Sequence, residues 1–335
     1  MPGRGGSRPT MRHVAERAGV SLKTVSRVIN EEASVAPQTA ERVVAAIAEL
    51  GFRRNDLARS LRQGSTSATL GLVIEDLSNP FYSAVAQAVE NVARPRGYML
   101  ITGSCEEDPD RERELILALL RRRVDALLLV PAGTERDQEW LGRELGDETP
   151  VVFVDRPPHG IEADAVLVDN AGGARTAVEH LIAHGHSRIA CVADAPGLYT
   201  ASERVAGYRE ALTHAGIAHD DALLKLGARD AADAEAAVNE LLALPEPPTA
   251  IFAGNNRITV GALRALHGGR TALVGFDDFE LADLLGTTVV RHEALQIGAE
   301  AARLAFARLD GLDAPPQRTV IPTELVVRGS GEVAP

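Results

Sequence analysis

Residues 10–30 read TMRHVAERAGVSLKTVSRVIN, and two short helical patterns meet there at the tight turn Ala18-Gly19-Val20-Ser21. In the first pattern Met11, Val14, Ala15 and Ala18 recur at helical spacing. Ser21 is a good N-cap for the second, whose Val25, Val28 and Ile29 form one apolar stripe. The stretch therefore predicts a helix-turn-helix. The other face of its second helix carries Leu22, Lys23, Thr24, Ser26 and Arg27, a polar and basic set that an α-helix can present to the major groove, where base edges are distinguishable. Ser21 and Asn30 at the two ends complete the candidate DNA-reading set. An amphipathic hairpin with a solvated face carries a similar pattern, so the flanking sequence has to decide.

On the C-terminal side, Pro37–Leu50 predicts a third helix, with Pro near its first position, an apolar stripe of Val43, Val44, Ile47 and Leu50, and Gly51 as the C′ residue. Three such helices bury one small core. Residues 53–62, RRNDLARSLR, form a short helical pattern that ends in the flexible run Gly64-Ser65-Thr66-Ser67. Residues 1–9, rich in Gly, Arg and Pro, are expected to be a disordered basic arm.

Charge divides the chain in the same place. Residues 1–66 hold 11 Lys+Arg against 6 Asp+Glu, a balance of +5, while the remainder is −17 and the whole chain −12. A basic headpiece suits phosphate contact, and an acidic body repels nonspecific DNA. At 335 residues and 45% hydrophobic composition there is room for the headpiece and roughly two further domains. No uncharged apolar run reaches membrane-spanning length and the N-terminus carries no apolar signal segment, so a cytoplasmic protein is expected. Cys105 and Cys191, without a C-x-x-C, read as reduced, buried small residues.

From Ala68 onward short apolar runs alternate with helical stretches: 70–74, 99–102, 126–130, 151–154, 189–192, 250–253 and 272–275. Alternation of this kind predicts parallel strands with crossover helices in doubly wound sheets, with enough strands for two.

Taken together, the motifs VAERAGVS, TVSRVIN, N-x-x-A-x-x-L at Asn55, Ala58 and Leu61, SNPFY, VDALLLVP, VDRP, GH-x-R-I and VGFDD make the chain resemble the lactose-repressor family of bacterial transcription regulators, from Thr10 to about Gly329. The resemblance implies a small all-α helix-turn-helix headpiece at residues 10–52, a hinge helix and linker at 53–67, and an effector-binding and dimerisation domain at 68–330. That domain would be a two-lobed α/β periplasmic-binding-protein-like fold, with lobe one about 68–167 and 292–322 and lobe two about 168–291 and 323–330. Three crossings would join the lobes, near 167–169, 290–293 and 321–324. Leu22, Lys23 and Arg27 would face base edges, and Asn55, Ala58 and Leu61 would belong to a hinge helix in the minor groove, Leu61 being the wedge between base steps. The chain departs from the family pattern at Arg54, where proline is usual, and at His13, where an acidic residue is common.

Ligands in open α/β sheets sit beyond the carboxyl ends of the strands. Candidate pocket residues occur there: Asn79, Phe81 and Tyr82 after the first strand, Asp155 and Arg156 after 151–154, Asn255 after 250–253, and Asp277 after 273–276. Arg204 is expected at the start of the helix after 189–192. By resemblance to sugar-binding relatives, Phe81 and Tyr82 would flank the apolar face of the ligand, and Asp155, Arg156, Arg204, Asn255 and Asp277 would bond its hydroxyls. Arg229 stands where a stacking aromatic is usual and His292 where a glutamine is usual. These two extra basic groups point toward a sugar acid or sugar phosphate as well as a sugar.

His180, His184 and His186 have metal-like spacing, but by resemblance His180 and His186 belong to the HLI-x-x-GH run of the family, so no metal is expected. Asp277-Asp278 lacks a nucleophile beside it, and neither G-x-G-x-x-G after a strand nor a P-loop occurs, so neither cofactor nor enzyme activity is expected. The sequence predicts an effector-controlled repressor that binds a palindromic operator as a homodimer. A solute-binding protein delivering a sugar to a transporter is the alternative, opposed by the helix-turn-helix in front.

Overall fold

The structure, a computed structural model, describes residues 9–29, 35–52, 67–133, 138–146, 149–267 and 269–335. Asn30, Asn55, Ala58, Leu61, residues 1–8 of the expected arm and 53–66 of the expected hinge lie outside the described residues. The chain divides into two compact units, Met1–Thr66 and Ser67–Pro335.

The first unit holds α1 (Met11–Ala18), α2 (Leu22–Ile29) and α3 (Pro37–Leu50). α1 and α3 end at glycines in the left-handed region, Gly19 at φ 65° and Gly51 at φ 61°, where a Cβ would be strained. At the start of α1 the backbone N–H of Thr10 donates to His13 Nδ1 at 3.2 Å. The imidazole thus does what a carboxylate at that position does in a capping box, which accounts for a histidine where an acid is common. Val14, Val25 and Val43, one from each helix, are fully buried and meet Ala15, Ala18 and Ala46 in a single small core. Val44, expected in the apolar stripe of α3, is instead 57% exposed. Val43, Ala46, Ile47 and Leu50 share one face, and one residue of helical rotation turns Val44 out of it.

The second unit is built on two six-stranded sheets. The first contains β1 (Thr69–Ile74), β2 (Met99–Ser104), β3 (Ala126–Leu129), β4 (Val151–Val154), β5 (Asp164–Val168) and β11 (Arg318–Ile321), in the order β11-β5-β4-β3-β1-β2 with every pair parallel. The second contains β6 (Ile189–Ala193), β7 (Leu224–Leu226), β8 (Ala250–Ala253), β9 (Ala272–Phe276), β10 (Thr288–Arg291) and β12 (Glu324–Val326), in the order β12-β10-β9-β8-β6-β7. Only β12, beside β10, runs antiparallel. Apart from Thr69 at the start of β1, the central strands are buried from end to end, as parallel strands covered on both faces must be.

The fold class expected from sequence is the one found, although β5, β7, β10 and β11 were not anticipated. β7 and β11 are short edge strands, half-exposed where the expectation rested on continuous apolar runs. The chain passes from the first sheet to the second after β5, returns after β10, and passes again between β11 and β12.

Helix pairs cover the sheets: α4 (Pro80–Ala93) with α11 (Ala294–Leu309), α7 (Asn170–Ala183) with α8 (Tyr199–His214), and α9 (Ala231–Leu242) with α10 (Asn256–Ala265). α5 (Pro109–Arg121) and α6 (Glu139–Leu145) flank the first sheet. The α4–α11 approach is close enough that a Cβ at Gly298 would overlap the carbonyl oxygen of Val85. Gly298→Ala is therefore expected to lower stability by about 1–3 kcal/mol even though alanine gains about 1 kcal/mol of helix propensity. Urea unfolding followed by circular dichroism checks this, and a stabilised variant would refute the close approach.

Candidate functional site

In the first unit Ser21 opens α2. Its Oγ accepts the Thr24 N–H at 3.1 Å, satisfying one of the free donors at the helix start. Val25 points into the core, while Ser21, Leu22 and Lys23 are exposed and Thr24, Ser26 and Arg27 half-buried. An exposed leucine beside a lysine on a short basic helix gives that face both an apolar and a cationic contact, the two kinds used against thymine methyls and guanine edges.

In the second unit the carboxyl ends of both sheets converge on one cleft. Six of the expected pocket residues form a continuous cluster across it. From the first sheet, Tyr82 of α4 donates its hydroxyl to Asp155 Oδ2 at 3.3 Å, and Phe81 packs edge-on against Tyr82, centroids 4.8 Å apart. From the second sheet, Arg204 and His292 both hold Asp277: Arg204 Nη2 lies 3.3 Å from Asp277 Oδ1, and His292 Nε2 lies 2.8 Å from the same oxygen. The Phe81 ring meets His292 edge-on at 5.1 Å, which joins the two halves.

Arg204 lies in the second turn of α8 rather than at its start. It is buried, and its guanidinium stacks 3.7 Å over the Phe276 ring, while Nε donates to Asn170 Oδ1 at 2.8 Å and Nη1 to the Gly254 carbonyl at 2.6 Å. Asp155 and Asp277, each directly after its strand, are non-glycine residues at φ 67° and 66°. Such strain is held where the surroundings over-determine it, and functional sites are where it clusters. The two carboxyls respond differently. Burial pushes Asp155 up from the ordinary carboxylate value. Burial opposes the charge on Asp277 too, but Arg204 and His292 outweigh it and hold its carboxyl low.

The other expected residues are placed differently. Arg156 is buried against Glu107, with Nη2 donating to Glu107 Oε1 at 2.6 Å and Nη1 to Oε2 at 3.0 Å, and its Nε has no hydrogen-bond partner among the described residues. Asn79 caps α4 and Asn255 caps α10, so the side-chain oxygen of each is used by its own helix. Asn255 Nδ2 reaches Asp194 at 3.4 Å. Arg229 stands apart: its side chain is 81% exposed and lies 3.7 Å from Asp233 one turn along the chain. Asp278, beside Asp277, turns away to Arg328, as adjacent residues after a strand do.

Two of the three histidines serve the C-terminal segment, while His184 Nδ1 bonds the His180 carbonyl at 2.8 Å one turn back. His180 bonds Glu332, and His186 bonds Thr249 Oγ1 at 2.9 Å and the Val333 carbonyl at 2.7 Å. Among the described residues no group of three His, Cys, Asp or Glu could hold a metal ion, and no helix is long and apolar enough to cross a membrane.

Comparison with known proteins agrees with this architecture along the whole chain. Residues 10–55 match the bacterial regulatory proteins of the lacI family, and residues 67–276 match the periplasmic binding proteins and sugar-binding domain of the LacI family. The chain belongs to the lacI family. It is 34% identical over 329 residues to the HTH-type transcriptional regulator GalR of Escherichia coli K12, covering 96% of this chain and 95% of that protein. With the ribose operon repressor of the same organism it shares 32% identity over 96% of this chain and 99% of the relative. Among solved structures, a lac repressor dimer bound to operator and the anti-inducer ONPF superposes with a TM-score of 0.84 at 25% identity, over 98% of this chain and 100% of that one. A complex of the transcriptional regulator CelR with cellobiose gives 0.71 at 33% identity, over 96% and 100%. These relatives are regulators of transcription, not enzymes.

Several residues that shape the cleft of this lacI-family chain were not singled out from sequence. Glu75 and Asp76 follow β1, Glu107 follows β2, Asp194 follows β6, and Asn256 and Arg257 open α10. All obey the rule that selected the others, position just past a strand, but nothing in residue type separates an Asp or Glu that lines a cleft from one that caps a helix. The consequence is an acidic cleft. Burial, then the nearby Glu107 charge, push the Glu75 carboxyl up to about 7.

Proposed function

We propose that this chain is a transcriptional repressor without catalytic activity that binds a near-palindromic operator as a homodimer and is controlled by a neutral sugar or related polyhydroxyl compound held between its two lobes. One observation carries the effector part. The Tyr82–Asp155 pair of one lobe faces the Arg204–Asp277 pair of the other, with His292, at the crossing between them, bonded to Asp277 and Phe81 packed against it. Carboxylates and a guanidinium fork suit vicinal hydroxyls, and the aromatic rings suit the apolar face of a sugar. Asn79, Arg156 and Asn255 line the same cleft in this reading; Arg229, exposed to solvent, does not contribute.

Charge supports a neutral ligand over the acid or phosphate that the sequence suggested. Each cleft guanidinium is already matched: Arg156 by Glu107, Arg204 by Asp277, Arg257 by Asp76. An anion would enter an acidic cleft in which these guanidinium groups are already ion-paired and would lose its hydration for little charge compensation. A thermal-shift screen of matched sets, each a sugar with its uronic acid and its phosphate, tests this. A ligand at a hundred times its dissociation constant stabilises by about 2.7 kcal/mol. Stabilisation by a phosphate and not by its parent sugar would overturn the neutral assignment.

In the headpiece, Ser21, Leu22, Lys23, Thr24, Ser26, Arg27 and Asn30 form the reading face, followed by the hinge residues Asn55, Ala58 and Leu61. This reading keeps the division into arm, headpiece, hinge and effector domain and a cytoplasmic location. One helix reads only a few base pairs, so two-fold pairing doubles the readout, and the exposed Leu281, Leu284 and Leu285 offer a second copy an apolar surface. Lys23→Ala is expected to weaken operator binding by roughly 1–3 kcal/mol and to relax the preference at one half-site position. Gel-shift titrations on operator variants measure it. A uniform loss on all sequences, with a salt slope flattened by about one, would make Lys23 a phosphate contact instead.

A further inference from the structure

Arg257 reaches from the first turn of α10, on the second sheet, to the loop that follows β1 on the first. Its guanidinium donates to Asp76 Oδ2 and, at 3.3 Å, to Ser78 Oγ, and it lies 3.9 Å from Glu75 Oε1. One residue earlier, Asn256 Nδ2 donates to Asn79 Oδ1 at 3.0 Å. Both acceptors are held in place by their own loop. Asp76 accepts the Ser78 N–H at 2.7 Å and the Ser78 hydroxyl at 2.8 Å, and Asn79 accepts the Phe81 N–H at 3.1 Å. On the opposite side Asn256 Oδ1 accepts the Arg257 N–H at 2.8 Å, and Asn255 caps the helix that carries both donors. Ordered donors thus meet ordered acceptors, and little side-chain freedom is lost when the two sides come together.

We propose that Arg257, with Asn256 beside it, is an inter-lobe latch that holds the cleft closed before any effector binds and so sets the fraction of protein ready to bind. The surrounding charges explain why the latch has to be a cation. Glu75, Asp76 and Glu107 approach from the first lobe and Asp194 from the second, and the other nearby cation, Arg156, is already taken up by Glu107. Closure without Arg257 would bring like charges together; with it, the same closure makes an ion pair. Arg257 and Asp76 each have 27% of the side chain exposed, so the pair is partly sheltered from salt. Its regulatory consequence rests on the cleft being the effector site, since the apparent affinity of any ligand scales with the competent fraction. The latch itself is a property of the lobes and is tested without a ligand.

Electron-electron double resonance on the full chain provides the test. Nitroxides are placed at Glu114→Cys on α5 and Asn239→Cys on α9, both exposed positions, while native Cys105 and Cys191 are buried. Labelled chains are diluted into unlabelled ones so that only the intrachain distance is read. The expected result is one narrow population in the otherwise unaltered protein and, in Arg257→Gln, a second population at a different distance, with the closed-to-open ratio reduced about tenfold. The charge-reversed pair Asp76→Arg with Arg257→Asp should restore the narrow population. Raising salt from about 0.05 M to 1 M should shift the protein with Arg257 in the same direction as the glutamine variant, without any change at the latch. Identical distributions with and without Arg257, or no response to salt, would overturn the latch while leaving the effector reading untouched.

Discussion

Arg204→Ala is expected to destabilise the second unit by about 3–5 kcal/mol, the cost of breaking a buried ion pair by removing one partner. The guanidinium is buried, stacks on Phe276, and holds Asn170, the Gly254 carbonyl and Asp277 together, so its loss leaves a buried carboxylate without its guanidinium partner and a gap over the ring. This is a harsher outcome than the pocket role alone implies, and truncation at this position is therefore a poor probe of signalling. Asp277→Asn keeps the size and an acceptor for His292 while removing the charge. It is expected to cost only about 1–2 kcal/mol and to weaken effector binding at least tenfold, leaving operator binding without ligand near normal. Urea unfolding followed by circular dichroism and titration calorimetry separate the two effects. A cost below about 1 kcal/mol for Arg204→Ala would show that its partners relax around the loss. Unchanged effector affinity in Asp277→Asn would move the pocket elsewhere.

Stability should fall as pH rises from about 4.5 to 7, contrary to the usual acid sensitivity of carboxylate-rich proteins. Burial pushes both Glu75 and Glu112 from the ordinary 4.5 up to about 7. Between those values the folded protein keeps protons that the unfolded chain has released, so each rise in pH favours unfolding until the carboxyls ionise in the fold as well. The effect is on the order of 2–3 kcal/mol for each group. Asp277 and Asp164 act in the opposite sense at lower pH. Burial opposes their charge, yet Arg204 with His292 and Arg308 respectively hold them below the ordinary 3.8. Their contribution is complete above about 4 and lost as pH falls through the folded values. The combined contribution of these four groups is therefore largest near pH 4 to 5. The single Trp140, on α6 beside the first sheet, reports unfolding of the unit that contains Glu75 and Glu112. Glu75→Gln and Glu112→Gln should each flatten the decline toward neutral pH, and a profile that rises monotonically to pH 7 would contradict both assignments.

The reach of the sequence differed between the two units for identifiable reasons. In the headpiece each short helix has one apolar face set by its own spacing, which marks Val14, Val25 and Val43 as core positions before the packing of α1 on α3 is known. Val44 lies one residue, about 100° of helical rotation, from Val43, so apolar composition alone does not separate it from the buried face. In the effector unit most of the buried strands are legible from apolar runs, but buried β5 and β10 are not, and neither are β7 and β11, whose three- and four-residue edge strands carry polar and exposed residues. Among the candidate site residues, Phe81, Tyr82, Asp155, Asp277 and His292 were recognisable by position after a strand or by family motif, and all five meet in one cluster.

By itself the sequence determined a helix-turn-helix joined to a doubly wound two-sheet body, the family, and most strand-end residues, because helical period, strand runs and turn glycines are local and survive without knowledge of partners. Only the tertiary structure decided which charges neutralise which. Arg156 pairs with Glu107 49 positions away, Arg204 with Asp277 73 positions away, and Arg257 with Asp76 181 positions away. Arg229, equally basic on paper, ends in solvent. The sign and availability of a charge depend on distance in space and on loss of water, and neither is written in the order of residues until two sheets close on one cleft.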